Sequence, residues 1–477
     1  MKTKQPVQYI IALITALSWT ILLSSALADD WPQYLGPNRN STSAQKGLLR
    51  SWPQNGPEVL WTVSVGRGFG GPVVKNGKVY LLDRDDKVGD NLRCFDLSNG
   101  KELWRFAYDA PGTVMFPGSR SVPTVDGDHV YSCGHNGDLY CLDINTHKPV
   151  WHNNVWTDFG GAPGGKSAGG PSGPGGPVQG GDGGAVARFP MWAITQNPLI
   201  YGDLLIVASQ APKAGVVACE KLTGNVKWTT AALGFVGYVS PAIVKVDGKD
   251  HVVMVTPSTN PFMGGGGGEP EMGKVVGIEP LTGKILWTYA KWHCHVSVPS
   301  AVDAGENRVL VAGGYELGAT MLKVERQADA SYGTTELFTT KQFGDQTKPP
   351  VLYKGCFYGE YSTNERRDGM VCMSLDGRIM WQTKRSPDFN KGSIILADGL
   401  MLATDGAKTL YLIEPDPSGF KQLASAELLA EGGSGSENDP LASRVGGRNQ
   451  NWGPMALADG KLLLRDQTHL KCVKIAQ

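Results

Sequence analysis

No two of the eight cysteines in this 477-residue sequence are adjacent, and none belongs to a Cys-x-x-Cys or Cys-x-x-Cys-His pattern. A redox dithiol and a covalently held haem are therefore not indicated. Charge of one sign is lacking too: 45 Lys and Arg balance 45 Asp and Glu, which withholds the broad positive footprint that non-specific nucleic-acid binding requires. Nucleic acid is not an expected partner. No Gly-x-Ser-x-Gly, Walker A or dinucleotide fingerprint stands in its strand-turn-helix setting, so the usual nucleophile and nucleotide enzymes fall away. Beyond the N-terminus no run is apolar enough to span a bilayer.

What is present is a turn-rich globular chain. Glycine at 63 and proline at 30 are too few for a collagen-like or wholly disordered protein, and 41% hydrophobic residues with 13 tryptophans supply a large core. The first residues carry Lys2 and Lys4, an apolar run from Ile10 to Leu23, then Ala26-Leu27-Ala28 before two aspartates. This is the pattern of a secretory signal over residues 1–28, which predicts an exported protein, periplasmic or secreted, with no stable membrane span after cleavage. No cysteine stands at the cut to take a lipid. Residues 29–56 read as an N-terminal extension. Asp29 to Trp52 lies outside any repeat and is expected to add only surface packing.

A phrase recurs along the rest of the chain: a proline, a short strand, Asp-Gly or Asn-Gly, a β-rich run, then a turn closing on Gly-Lys and a tryptophan. The well-kept copies end at Trp104, Trp151, Trp228, Trp287 and Trp381, and degenerate ones start near Ser297, Gly392 and Gly453. That makes eight. Each copy reads as four short strands of period-2 alternation, with Asn-Gly, Asp-Gly and Thr-Gly pairs at the hairpins. A four-stranded sheet repeated radially is a β-propeller blade. The last copy ends after three strands, whereas PEVLWTVSVG at 57–66 is a tryptophan strand with nothing before it to pair with. Val59 to Val65 is therefore expected to complete the eighth blade and close the ring. The fold class predicted is all-β, an eight-bladed β-propeller over residues 57–477.

The phrase Cys-Leu-Asp-x-x-x-x-Lys-x-x-Trp at 141–151, repeated around eight blades, resembles the tryptophan-docking motif of the PQQ-like (quinoprotein-like) propellers. The chain is similar in length to secreted single-propeller members. Its architecture is similar to that of the propeller subunit of the outer-membrane protein assembly machine. The resemblance implies that Trp61, Trp104, Trp151, Trp228, Trp287 and Trp381 dock structurally over the neighbouring blade. Cys94, Cys141, Cys219, Cys372 and Cys472 stand about ten residues before a tryptophan, where the family usually has alanine. They are read as one buried repeat position, held apart by the ring and unpaired.

In the family's architecture the loops between blades share a face with those joining second and third strands. Gly/Pro-rich insertions near 158–187, 256–274 and 431–451 all fall on that face, where binding on a rigid scaffold is expected. Its inner rim supplies the candidate ligand or partner residues Arg67, Phe69, Arg120, Arg188, Trp192, Tyr238, His293, His295, Lys348, Lys391, Asn451 and Trp452.

Other chemistry finds less support. His293 and His295 flank Cys294 on the same side of an extended segment, but two imidazoles do not make a metal site and no third ligand is evident. Asp83, Asp85, Asp86 and Asp90 lack the order of a calcium loop and read as a solvated hairpin tip. The PQQ-dependent alcohol or sugar dehydrogenases that the resemblance brings in typically use a vicinal cysteine pair, a calcium held by Glu, Asn and Asp, and an aspartate base. None of these is matched here. The expectation is a non-catalytic binding or assembly scaffold without catalytic residues, bound metal or cofactor, meeting a protein or polymer on its elaborated face. A PQQ- and calcium-dependent dehydrogenase and a polysaccharide- or peptide-binding module stand as alternatives.

Overall fold

The computed structural model describes residues 30–112, 114, 116–163, 189–259, 271–315, 317–362, 367–430 and 450–477, with backbone alone at 177–179 and 185–187. Most of the three predicted insertions, and Arg188, lie outside the described residues. Alternating apolar residues bounded by Gly-containing turns fold into eight blades of four antiparallel strands each. Blade 1 starts at Val73–Lys75, blade 2 at Thr124–Asp126, blade 3 at Leu199–Tyr201 and blade 4 at Ala242–Val246. Blades 5 to 8 begin at Val302–Asp303, Val351–Tyr353, Ile394–Ala397 and Ala456–Ala458. A 3-10 turn at Thr157–Phe159 is the only helical element among the described residues.

The ring closes as its sequence demands. Val59–Ser64 pairs antiparallel with His469–Lys474, placing Trp61 opposite Cys472 as the fourth strand of blade 8. Neither end of the repeat then presents an unpaired ladder.

The tryptophans sit between blades. The indole N–H of Trp61 donates to the Leu97 carbonyl at 2.9 Å, that of Trp151 to Lys221 at 2.9 Å, that of Trp228 to Pro280 at 3.1 Å and that of Trp381 to Asp416 at 2.8 Å. Each acceptor is in the turn before the next blade's outer strand. In blades 1 and 3 the turn needs a glycine, since a Cβ at Gly100 or Gly224 would stand 2.8 Å from the indole above it. Blade 2 has His147 instead, at φ 61°, and its ring stacks on Trp104 at 5.0 Å. Trp287 departs from the pattern by donating to His251 Nδ1 in its own blade. Blade 5 lacks a tryptophan; Phe338 lies over Gly377 of blade 6 in its stead.

Three expectations need correction. Cys94, Cys141, Cys372 and Cys472 do lie opposite the docking tryptophan, but in blade 3 that position belongs to Ala218. Cys219 stands one residue on, opposite Val226, and packs in the core containing Trp151. A one-residue offset in a strand reverses the face: Cys219 stands nine residues before Trp228, one fewer than the ten that separate Ala218 from it and Cys94 from Trp104. The acidic hairpin is not a solvated tip. Asp83 and Asp90 are buried, and Arg84 bridges Asp90 at 3.1 Å and Asp86 at 2.7 Å while Arg93 holds Asp83 at 2.9 Å. The N-terminal extension is not surface packing, because Trp31, Tyr34, Leu35 and Leu48 are all buried within the ring.

Candidate functional site

In an antiparallel four-stranded blade, the connections into the first strand and between the second and third strands open on one face. At the centre of that face lies an open-mouthed cavity with about 970 Å³ of atom-free space, the solvent at its mouth included. Seven of the candidate residues line it: Phe69, Arg120, Trp192, Tyr238, Lys348, Lys391 and Trp452. They reach one place because each belongs to a segment that enters an inner strand, and the eight inner strands surround the axis.

One wall is aromatic. Phe69 lies 5.3 Å from Trp452 and 6.4 Å, edge-on, from Phe116, while Trp192 lies 5.0 Å from Tyr238. The indole nitrogens of Trp192 and Trp452 are buried donors with no partner among the described residues. Cations rest on these rings: Arg120 is 5.5 Å from the Phe69 centroid and Lys391 Nζ is 4.5 Å from that of Trp452. Arg120 is held by the carbonyls of Gly118 and Phe116. Their loop is fixed in turn by the Arg84–Asp86 ion pair, since Gly118 N–H donates to Asp86 and Arg84 holds the Ala110 and Gly112 carbonyls.

The lining beside Lys391 is polar. Lys348 Nζ donates to the Lys391 carbonyl and Thr347 hydroxyl, each at 3.2 Å. Burial pulls its pKa down to about 8 against the attraction of Asp345 and Glu360 behind it. Burial pulls Lys391 down to about 8 as well, assisted by the like charges of Arg367 and Lys348. Glu360 is pushed well above the usual carboxylate range by burial and by Asp345. Among the described residues no Asp or Glu lines the cavity itself.

The remaining candidates lie elsewhere. Arg67 pairs its backbone with Arg84 beside the cavity without lining it. Asn451 is buried and spends its amide on the Ala430 and Ala407 carbonyls. His293 is exposed; His295 is half-buried, 5.5 Å from the Tyr315 ring, and neither lines the cavity. Among the described residues no group of three or more His, Cys, Asp or Glu converges for a metal.

Sequence reasoning missed Tyr34, Phe116, Asn197, Ser240, Ser300 and Tyr315. The small polar ones form a belt: Asn197 accepts from Val122 N–H at 2.7 Å and donates to Ser240 Oγ, and Ser300 Oγ donates to the Ser240 carbonyl at 2.7 Å. Their signal was positional, two residues before each inner strand, but single serines and asparagines there read as ordinary turn residues.

A protein-family profile described as "Outer membrane protein assembly factor BamB" matches residues 88–328. No curated protein matches the sequence. Among solved structures, the quinohemoprotein alcohol dehydrogenase from Comamonas testosteroni aligns with 94% of this chain and 81% of its own, with a TM-score of 0.58 and 12% identity. BamB from Moraxella catarrhalis aligns over 88% of this chain and 100% of its own, with a TM-score of 0.51 and 10% identity. At such identities the likeness is one of fold.

Proposed function

Because the chain belongs to the PQQ-like family whose profile is described as outer membrane protein assembly factor BamB, we propose that it is an exported, non-catalytic binding propeller that holds an anionic group of its ligand or partner in the central cavity. The observation that carries this reading is Lys391, which is buried in the cavity lining over the Trp452 ring with no carboxylate among the described residues within ion-pair distance. A buried cation without a counter-charge is costly, and an entering anion offsets that penalty. Unpartnered indole donors and the aromatic wall favour an anion attached to an apolar body, such as an acidic segment of a protein or polymer.

The described lining does not fit the calcium that accompanies PQQ in dehydrogenases. Calcium wants six to eight oxygen ligands, several of them carboxylates, whereas this wall presents cations. The vicinal cysteines are missing from the sequence as well. Export rests on the Lys2 to Ala28 pattern; among the described residues no helix is long and apolar enough to cross a membrane.

The test is a titration of the mature chain with 8-anilinonaphthalene-1-sulfonate and with its uncharged relative N-phenyl-1-naphthylamine. The sulfonate should bind more tightly, and Lys391→Ala should weaken it by about tenfold, the worth of one charge-assisted hydrogen bond, while sparing the neutral probe. Equal affinities, indifferent to Lys391→Ala, would overturn the reading.

A further inference from the structure

The N-terminal segment occupies the end of the channel opposite the long loops. Trp31 exchanges backbone hydrogen bonds of 2.9 and 2.8 Å with Val74 in blade 1, and the Pro32 carbonyl accepts from Val125 in blade 2 at 2.8 Å. On the other side of blade 1, Thr42–Ser43 runs parallel to Leu396 and Ala397 of blade 7, and Leu48 bridges Ala476 beyond blade 8. These partners lie toward the ends of their inner strands, or past the last strand of the chain, on the side away from the loop face.

Between those anchors residues 33–41 form a tight loop, closed by Gly36 N–H to Gln33, Arg39 N–H to Gly36 and Ser41 N–H to Leu35. Leu35, Arg39 and Ser41 are non-glycine residues at φ of 61°, 52° and 59°. Such conformations persist where the surroundings over-determine them. Here they do: Arg39 rises inside the ring and donates to the Pro198 carbonyl at 3.1 Å, Asn197 at 3.3 Å and Pro241 at 3.4 Å, spanning blades 3 and 4. The same loop puts Tyr34 into the lining of the cavity that opens on the other face.

We propose that Trp31–Ser43 is a plug that closes the propeller channel in cis, turning a ring open at both ends into a cup whose floor is Tyr34. In this arrangement Tyr34 is a specificity-determining residue, because it sets how deep an apolar ligand body descends once its anionic group is held above. The proposal rests on the cavity being a binding site but not on the sign of the charge it prefers.

Tyr34→Ala, Tyr34→Phe and a chain beginning at Ala44 test it with the same two probes. Loss of the ring should weaken both the sulfonate and the neutral probe by at least about fivefold, as removal of a buried aromatic contact does. Tyr34→Phe should restore both. Lys391→Ala separates the two probes and so reports on the anion reading alone. If the shortened chain fails to fold, Tyr34→Ala still decides the matter. Native affinity of Tyr34→Ala for both probes would overturn the proposal.

Discussion

Lys391 Nζ stands 4.5 Å from the centroid of the Trp452 ring, joining the connection between blades 6 and 7 to the neighbouring one between blades 7 and 8 in the cavity wall. No carboxylate among the described residues lies within ion-pair distance of this ammonium, and its residue is buried.

Lys391→Met should therefore stabilise the ligand-free protein at pH 7, by roughly 1 to 3 kcal/mol if a buried charge is exchanged for an apolar chain of similar volume. The folded pKa, lowered to about 8 by burial, lies below that of the unfolded lysine. Between the two the unfolded state holds more protons, so the stability of the native protein rises with pH across that window. The advantage of the variant should shrink over the same range. Thermal midpoints of both proteins at pH 7 and pH 10 check the sign.

Binding of the sulfonate probe should fall as pH rises through about 8, where Lys391 and Lys348 lose their protons. The neutral probe should show no such fall. Fluorescence titrations from pH 6 to pH 10 distinguish them, and a parallel decline would point to a conformational cause instead.

Trp61→Ala should destabilise by about 3 to 5 kcal/mol, the usual loss for a large buried aromatic, because it removes the bond to Leu97 and the packing over Gly100. A chain lacking residues through 66 should fare worse, since His469–Lys474 becomes a free edge open to aggregation. Urea melts of the point variant and soluble yield of the truncation are the measurements.

All eight cysteines are free and buried. Burial pushes Cys94, Cys141, Cys219, Cys372 and Cys472 up to about 12, which keeps the reactive thiolate scarce. Native protein should react negligibly with a thiol reagent and denatured protein at eight positions. A disulfide between two of Cys94, Cys141, Cys372 and Cys472 would contradict the spacing of the blades.

The repeat was legible because local signals agree with the global fold at every level. Period-2 alternation, Asn-Gly and Thr-Gly hairpins and a tryptophan at fixed offset each specify the same blade. The orphan strand at Val59 and the three-strand ending at Lys474 were enough to infer how the ring closes. What repetition implies, sequence shows. The convergence of Phe69, Arg120, Lys391 and Trp452 was partly legible for the same reason, since position before an inner strand places a residue near the axis.

The sequence by itself thus determined the blade, its count and its closure, because these depend on short-range periodicity and on strands that must find partners. Only the tertiary structure decided that Cys219 faces the other way, that Asp83 and Asp90 are buried with arginines, and that Trp31, Tyr34, Leu35 and Ser41 are buried. Each of those turns on contacts between residues far apart in the chain. Arg39 and Pro241 are separated by 202 residues, and no local pattern around Arg39 announces the three carbonyls that the closed ring aims at its guanidinium. The same holds for Tyr34, which becomes the floor of a cavity only after eight blades have been arranged around it.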